Sequence, residues 1–232
     1  MKKTFVISLG GSIMYPDNLD VAYIKKFRDF ILEAVKVGSK FVIIAGGGKL
    51  CRNYQNTASQ ITEPSADDLD WLGIETTRVN GLLLKTIFKQ TANPLLLDKK
   101  NKIKNFGKYK IVIGCGWSPG WSTDFIAVQT AIDFKIKTIL NLSNVEYVYT
   151  ADPKKDKTAK PIKKISWNDY LKIAPKKRTP GMNSPFDPIA SQLAKKNNLT
   201  VITADGHNLN NLQKIIQKQE FKGTTITDNG NF

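Results

Sequence analysis

Apolar positions along this chain switch repeatedly between two rhythms. Residues 4–9 form a short apolar run that stops at Gly10-Gly11, which predicts a strand. Over 19–37, Leu19, Ile24, Phe27, Ile31, Leu32 and Val35 recur at helical spacing, and Gly38 stands where a helix end favours glycine. Phe41 to Ala45 are apolar without a break, the pattern of a strand covered on both faces. Gly46-Gly47-Gly48 ends that run, and a helix is predicted from about Lys49. Pro64, Asp67 and Asp68 mark a further helix start, with apolar spacing carrying it to Ile87. Strands are predicted at 94–97 and 110–114, separated by a polar, lysine-rich turn at 98–109. A helix over 123–134 and a strand over 138–142 follow, then an exposed polar loop over 150–164. Short helices over 166–173, 187–197 and 208–217 and strands over 199–203 and 224–226 complete the pattern.

Strands alternating with helices predict an α/β fold: a three-layer sandwich with an open, mostly parallel central sheet. No linker, repeat or low-complexity block interrupts the chain. One domain over 1–232 is expected, in two halves that divide near residue 136. In such folds ligands bind at the carboxyl ends of strands.

Composition narrows the function. Hydrophobic residues make up 41% of the 232, which excludes a disordered chain. No apolar run approaches the ~20 residues of a membrane span, and the basic-then-apolar start fits a first strand better than a signal peptide. Cys51 and Cys115 belong to no CxxC pair and His207 is the only histidine, so neither a zinc site nor a disulfide framework is supported. A reducing cytoplasm is the simplest expected compartment. The formal charge of +15 favours anionic partners. A diffuse lysine excess reads first as a solvated surface; a nucleic-acid role would rest on the charge alone.

Three glycine-containing loops follow predicted strands: Gly10-Gly11-Ser12, Gly46-Gly47-Gly48, and the stretch from Gly114 to Asp124. Glycine lets backbone N–H groups approach a phosphate, and a helix starting just beyond adds further donors. One Gly-Gly is usually only a turn, but three loops at strand ends of one parallel sheet would converge on one edge. None matches GxxxxGK[ST] or GxGxxG, so neither a P-loop nor a dinucleotide-binding motif is present. Arg52 is placed to reach back to a phosphate, or is a surface arginine. Ser122 or Thr123 is a natural helix N-cap, with or without a ligand. Asp70 either favours a helix dipole or accepts from ribose hydroxyls. Trp117 and Trp121 either stack on a base or fill core and subunit contacts.

Taken together, Gly10-Gly11-Ser12, Gly46 to Arg52, Gly116 to Asp124, Asn144 to Asp156, Asp187-Pro188-Ile189-Ala190 and Gly223 to Ile226 resemble the UMP kinases of the amino-acid kinase superfamily, in their archaeal form. The Asn144–Asp156 stretch is the most specific. The resemblance implies transfer of a phosphoryl group from ATP to UMP, with Mg²⁺, by a hexamer built from dimers. It implies that the first half takes the nucleoside monophosphate and the second takes ATP. It places Gly11, Ser12, Arg52 and Asp187 at the reaction centre. Gly47, Asp70 and the run Trp117, Ser118, Pro119, Gly120, Trp121, Ser122 and Thr123 would surround UMP. Gly11, Ser12, Gly48, Arg52, Ser143, Asn144, Tyr149 and Asp152 would hold ATP.

Three positions depart from the family pattern. Glu146-Tyr147 stands where Asp-Gly is usual; the tyrosine would cost ~1–2 kcal/mol if the backbone there needs positive φ. Cys115 replaces a usual glycine. Ser8 stands where bacterial members carry a lysine, leaving Lys49 and the cluster Lys176-Lys177-Arg178 as candidates for the cation at the transferring phosphate. Isopentenyl phosphate kinases carry a histidine after the second glycine loop, which this chain lacks. The remaining alternatives are another small-molecule kinase of this fold, or a nucleotide-binding protein on it without turnover.

Overall fold

The computed structural model describes residues 3–153, 155–175 and 185–228. Ten strands and eight helices alternate through the described residues: β1 (Thr4–Leu9), α1 (Gly11–Met14), α2 (Val21–Lys36), β2 (Lys40–Ala45), α3 (Gly48–Ile61), α4 (Ala66–Ile87), β3 (Ala92–Leu97), β4 (Ile111–Gly114), α5 (Thr123–Asp133) and β5 (Thr138–Ser143), then β6 (Val148–Tyr149), β7 (Pro161–Ile162), β8 (Lys164–Ile165), α6 (Trp167–Ile173), α7 (Pro188–Lys196), β9 (Thr200–Asp205), α8 (Leu209–Gln217) and β10 (Thr224–Ile226). Eight strands form one sheet in the order β3-β4-β2-β1-β5-β9-β10-β8. All neighbours in it are parallel except β9 and β10.

The alternation of side chains along each strand builds the three layers. Ile7, Phe41, Ile43, Ile111, Leu140 and Ile202 face one way, into a core closed by α2, α4 and α8. Val6, Val42, Ile44, Val112, Ile139 and Val201 face the other, into a core closed by α5, α6 and α7. The strands are apolar on both faces because both are covered. The expected architecture is therefore borne out.

Two details differ from the sequence expectation. The loop expected over 150–164 supplies β7 and the start of β8, and Tyr149 in β6 pairs with Pro161. Runs of two residues are too short for any periodicity to register. Tyr147 is not among the residues with positive φ. The tyrosine therefore carries none of the strain its position suggested, and its ring meets that of Tyr149 at 6.4 Å.

β1 lies between β2 and β5. The chain leaves β1 to build the sheet on one side, through β2, β3 and β4, and returns to build the other side from β5. That reversal opens a crevice at the carboxyl ends of β1, β2 and β5.

Candidate functional site

A cleft of about 260 Å³ occupies this crevice, walled by Gly10 to Ile13, Gly46 to Gly48, Cys51, Arg52, Thr123, Asp124 and Leu142 to Asn144. The first two glycine loops touch backbone to backbone. A Cβ on Gly11 would lie 2.0 Å from the Gly48 nitrogen, and one on Gly48 would lie 2.4 Å from the Gly11 oxygen. Gly48 also has φ +67°, a conformation that L side chains avoid. Glycine is thus required here by space and by backbone geometry, and α1 and α3 both start from this contact. From α4, Asn80 Nδ2 donates to the Gly46 carbonyl at 2.8 Å and pins the second loop.

Two cations flank the opening. Arg52, one turn into α3, donates from Nη2 to Ser12 Oγ at 3.3 Å. Lys49 is paired with Asp17. The cluster Lys176-Lys177-Arg178 lies outside the described residues.

The third loop closes one side. Asp70 is buried, and its Oδ2 accepts from the Gly120 backbone N–H at 2.6 Å, joining α4 to the loop. Thr77 Oγ1 accepts from the Gly116 N–H at 2.8 Å. Trp117 is buried and donates from Nε1 to the Leu97 carbonyl, so it belongs to the core. Trp121 is more open and packs on Phe125, with ring centroids 4.9 Å apart. Ser122 is the N-cap of α5, accepting from the Phe125 N–H, and Thr123 begins the helix and faces the cleft. Cys115 is buried, and burial pushes its thiol up to about 12, which leaves it inert.

The cleft thus gathers Gly11, Ser12, Gly47, Gly48, Arg52, Thr123, Ser143 and Asn144. Asp70 and residues Trp117 to Ser122 are not part of its wall; Asp70 is bonded to Gly120 of the loop that leads into Thr123. Tyr149 and Asp152 lie farther along the chain from Asn144, outside the cleft wall. Asp187 sits behind the wall as the N-cap of α7, its Oδ1 accepting from the Ala190 N–H at 2.8 Å.

Sequence reading missed the group through which Asp187 reaches the cleft. Its backbone N–H donates to Asp124 Oδ2 at 3.1 Å, while Ser8 Oγ donates to Asp124 Oδ1 at 2.8 Å. Asp124 lines the cleft and is half-buried there. Desolvation is the largest influence and pushes its carboxyl up to about 6, with the charge of Asp187 adding; the bonds from Ser8 and from the Asp187 backbone oppose the rise without cancelling it. The available signal was an acid directly after the Ser122-Thr123 cap, which reads equally well as a helix-dipole residue. Ser8, by contrast, stands in the first strand with its hydroxyl committed to this acid.

Residues 3–205 match the model of the amino acid kinase family, and the chain belongs to that family. Within it, the chain is similar to archaeal uridylate kinases. It is 30% identical to the uridylate kinase of Methanocorpusculum labreanum over 225 residues, covering 95% of this chain and 94% of that one. It is 30% identical to the uridylate kinase of Pyrococcus abyssi over 223 residues, covering 95% and 98%. The crystal structure of uridylate kinase from Archaeoglobus fulgidus superposes with a TM-score of 0.79 at 28% identity, over 98% of this chain and all of that one.

Proposed function

We propose that this protein transfers the γ-phosphoryl group of ATP to UMP, giving UDP and ADP, in cytoplasmic pyrimidine nucleotide biosynthesis. The observation that carries the proposal is the convergence, at the point where the sheet reverses direction, of the Gly11–Gly48 contact, Arg52 and the start of α5 in one cleft. The likeness to archaeal uridylate kinases over nearly the whole chain supports UMP as the acceptor.

Phosphoryl transfer asks for positioning and charge neutralisation more than for covalent help. A UMP phosphate oxygen attacks the γ-phosphorus in line; the new P–O bond forms as the bond to the ADP oxygen breaks. Backbone N–H groups of the two glycine loops and the Arg52 fork hold the charge that spreads over the transferring oxygens. Asp70 and the loop from Trp117 to Thr123 hold the nucleoside monophosphate, with Trp117 bracing that loop from the core. Ser143, Asn144, Tyr149 and Asp152 take the donor.

Mg²⁺ would supply charge neutralisation between the donor phosphates. Asp124, which lines the cleft, would offer it a hard oxygen donor. No group of three or more metal-binding side chains exists among the described residues. The nucleotide phosphates would therefore complete its coordination. Asp187 holds Asp124 in place and does not touch substrate in this assignment.

A hexamer of paired dimers is part of the proposal, supported by an apolar stripe that α3 and α4 leave exposed: Tyr54, Ile61, Trp71, Val79 and Leu82. The occupant is a second copy. The first half of α4 carries Asp67, Asp68 and Glu75, its last turn carries Lys85, and Lys89 follows just past its end, so antiparallel pairing of two α4 helices sets acid against base.

The test is ADP release with Mg-ATP and UMP, CMP, dTMP, AMP or isopentenyl phosphate. Turnover fastest with UMP is expected. ATP or UMP binding with no turnover of any acceptor would replace the kinase with a nucleotide-binding protein.

A further inference from the structure

The nucleotide cleft does not use the charge excess. Carboxylates gather at the carboxyl ends of the strands, where Asp17, Asp70, Asp98, Asp124 and Asp205 lie. The segments entering the opposite edge are mainly of one sign: 36–40, 104–110, 134–137 and 195–199 contain nine lysines and no aspartate or glutamate, and Asp133, the last residue of α5, borders the third and accepts from Gln129 Nε2. The two edges are separated by the length of a six-residue strand, about 20 Å.

The sheet register brings part of this charge onto one face. Phe41 pairs with Ile111, so Lys40 and Lys110 are neighbours one residue earlier. Thr4 pairs with Lys40, and the β1–β5 register carried back from Val6 and Ile139 puts Lys137 on the far side of Thr4. Side chains at one register level of a parallel sheet share a face, so Lys110, Lys40 and Lys137 point to the α5 side across four strands, about 14 Å. An edge-to-face pair, Phe106 and Phe134 at 5.4 Å, packs the lysine-rich turn against the end of α5 beside them. Lys40 lies 5.3 Å from the Phe106 ring centre. Lys108 and Lys135 flank that pair and are exposed, as are Lys110 and Lys137.

Lysines near helix ends partly offset helix dipoles, which accounts for Lys36, Lys195 and Lys196 in the last turns of α2 and α7. The same account covers Lys135, just past the end of α5, but not Lys40, Lys110 and Lys137 at the starts of β2, β4 and β5. We propose that the patch Lys40, Lys108, Lys110, Lys135 and Lys137 is a binding surface for a nucleic-acid strand, read through its phosphates without sequence preference. Lysine ammonium groups on flexible stems suit phosphate contacts of this kind. The row also follows the sheet twist of roughly 20–25° per strand, giving a turned ridge that fits a linear polyanion better than a flat plane of headgroups.

The experiment measures fluorescence anisotropy of a labelled, mixed-sequence 20-nucleotide RNA with the full chain, from about 50 to 300 mM salt. Binding is expected to weaken linearly in log salt, by about 0.7 in slope per phosphate engaged. The triple variant Lys108→Gln, Lys110→Gln, Lys137→Gln should lower that slope by about 2 and weaken binding at least about tenfold. Its melting temperature and UDP formation should stay unchanged, because none of the three touches the cleft. Removing Lys25 and Lys26 from the outer face of α2 should leave RNA binding nearly intact. Absence of RNA binding at the lowest salt overturns the proposal, as does equal loss in both variants. Tighter binding to phosphatidylserine vesicles than to RNA at equal phosphate would reassign the patch to a membrane surface. These outcomes are independent of whether UMP is the acceptor.

Discussion

Desolvation at the cleft wall, with the charge of Asp187 adding, raises the Asp124 carboxyl above the ordinary aspartate range. With the carboxyl raised to about 6, the folded chain binds this proton more tightly than the unfolded chain does. Its contribution to stability is therefore fully present below about pH 4 and is lost as pH rises through about 6, on the order of 3 kcal/mol in all. Asp124→Asn removes that dependence and keeps both bonds: the amide donates to Ser8 Oγ and accepts from the Asp187 N–H. Denaturant midpoints should show the variant more stable than the parent at pH 7.5, with the gap narrowing as pH falls toward 4. A variant less stable at both values would mean that the carboxylate is ionised and compensated in the folded protein. Turnover should fall in the same variant, since a neutral amide no longer offsets a cation. Arg52 makes the opposite case. It is exposed and its one described bond is to Ser12, so Arg52→Ala should leave the melting temperature unchanged. It should lower kcat/KM about 100-fold or more, the usual cost of removing a donor aimed at transition-state charge. Near-normal turnover would take Arg52 out of the mechanism.

At the scale of elements, the glycine loops are fixed by close approach. Gly48→Ala would impose positive φ on a residue with a Cβ and drive that atom to 2.4 Å from the Gly11 oxygen. The backbone penalty alone is about 1–2 kcal/mol. The two loops must also separate, so both the melting temperature and turnover should fall; unchanged turnover would mean that the loop contact is not needed for chemistry. The loops were legible in the sequence because three of them follow strands of one parallel sheet, whose carboxyl ends share an edge. The long elements were legible from local pattern: α2 has its apolar spacing, and α4 has Pro64 and the acids Asp67 and Asp68 at its start. What the sequence did not disclose lay in pairings between distant segments. Asp124 and Asp187 are 63 residues apart, and no local pattern announces that the N-cap of α7 will hold an acid of α5. Tyr147 shows the reverse failure: a glycine position inferred from a family pattern proved not to need glycine, because the backbone there has no positive φ. Trp117, read as either base-stacking or core, is settled as core by its burial and its bond to the Leu97 carbonyl.

At the scale of the whole molecule, the faces of the sandwich are unequal. The sheet and most helices cover one another, but α3 buries only Gln55 of its fourteen residues. Along α4, Trp71, Glu75, Val79 and Leu82 step by four, four and three, the spacing of one helix face. Their exposures of 48% for Trp71, 58% for Val79 and 43% for Leu82 leave an apolar ridge interrupted by Glu75. Water contact with that ridge costs roughly 25 cal/mol for each Å² left uncovered, so a partner is favoured. In an antiparallel pair, Val79 lies near the two-fold axis, Glu75 approaches the partner's Leu82, and the acidic start of each helix meets the basic end of the other. Val79→Glu places two like charges across that axis without touching the cleft. Sedimentation velocity should show the parent as an oligomer and the variant shifted to smaller species. Circular dichroism should stay unchanged, because Val79 is exposed within one chain. An unshifted variant would place the contact between copies on another face. Loss of turnover together with dissociation would then show that Asp70 and Arg52, carried by these same two helices, depend on the neighbouring copy to be held in place.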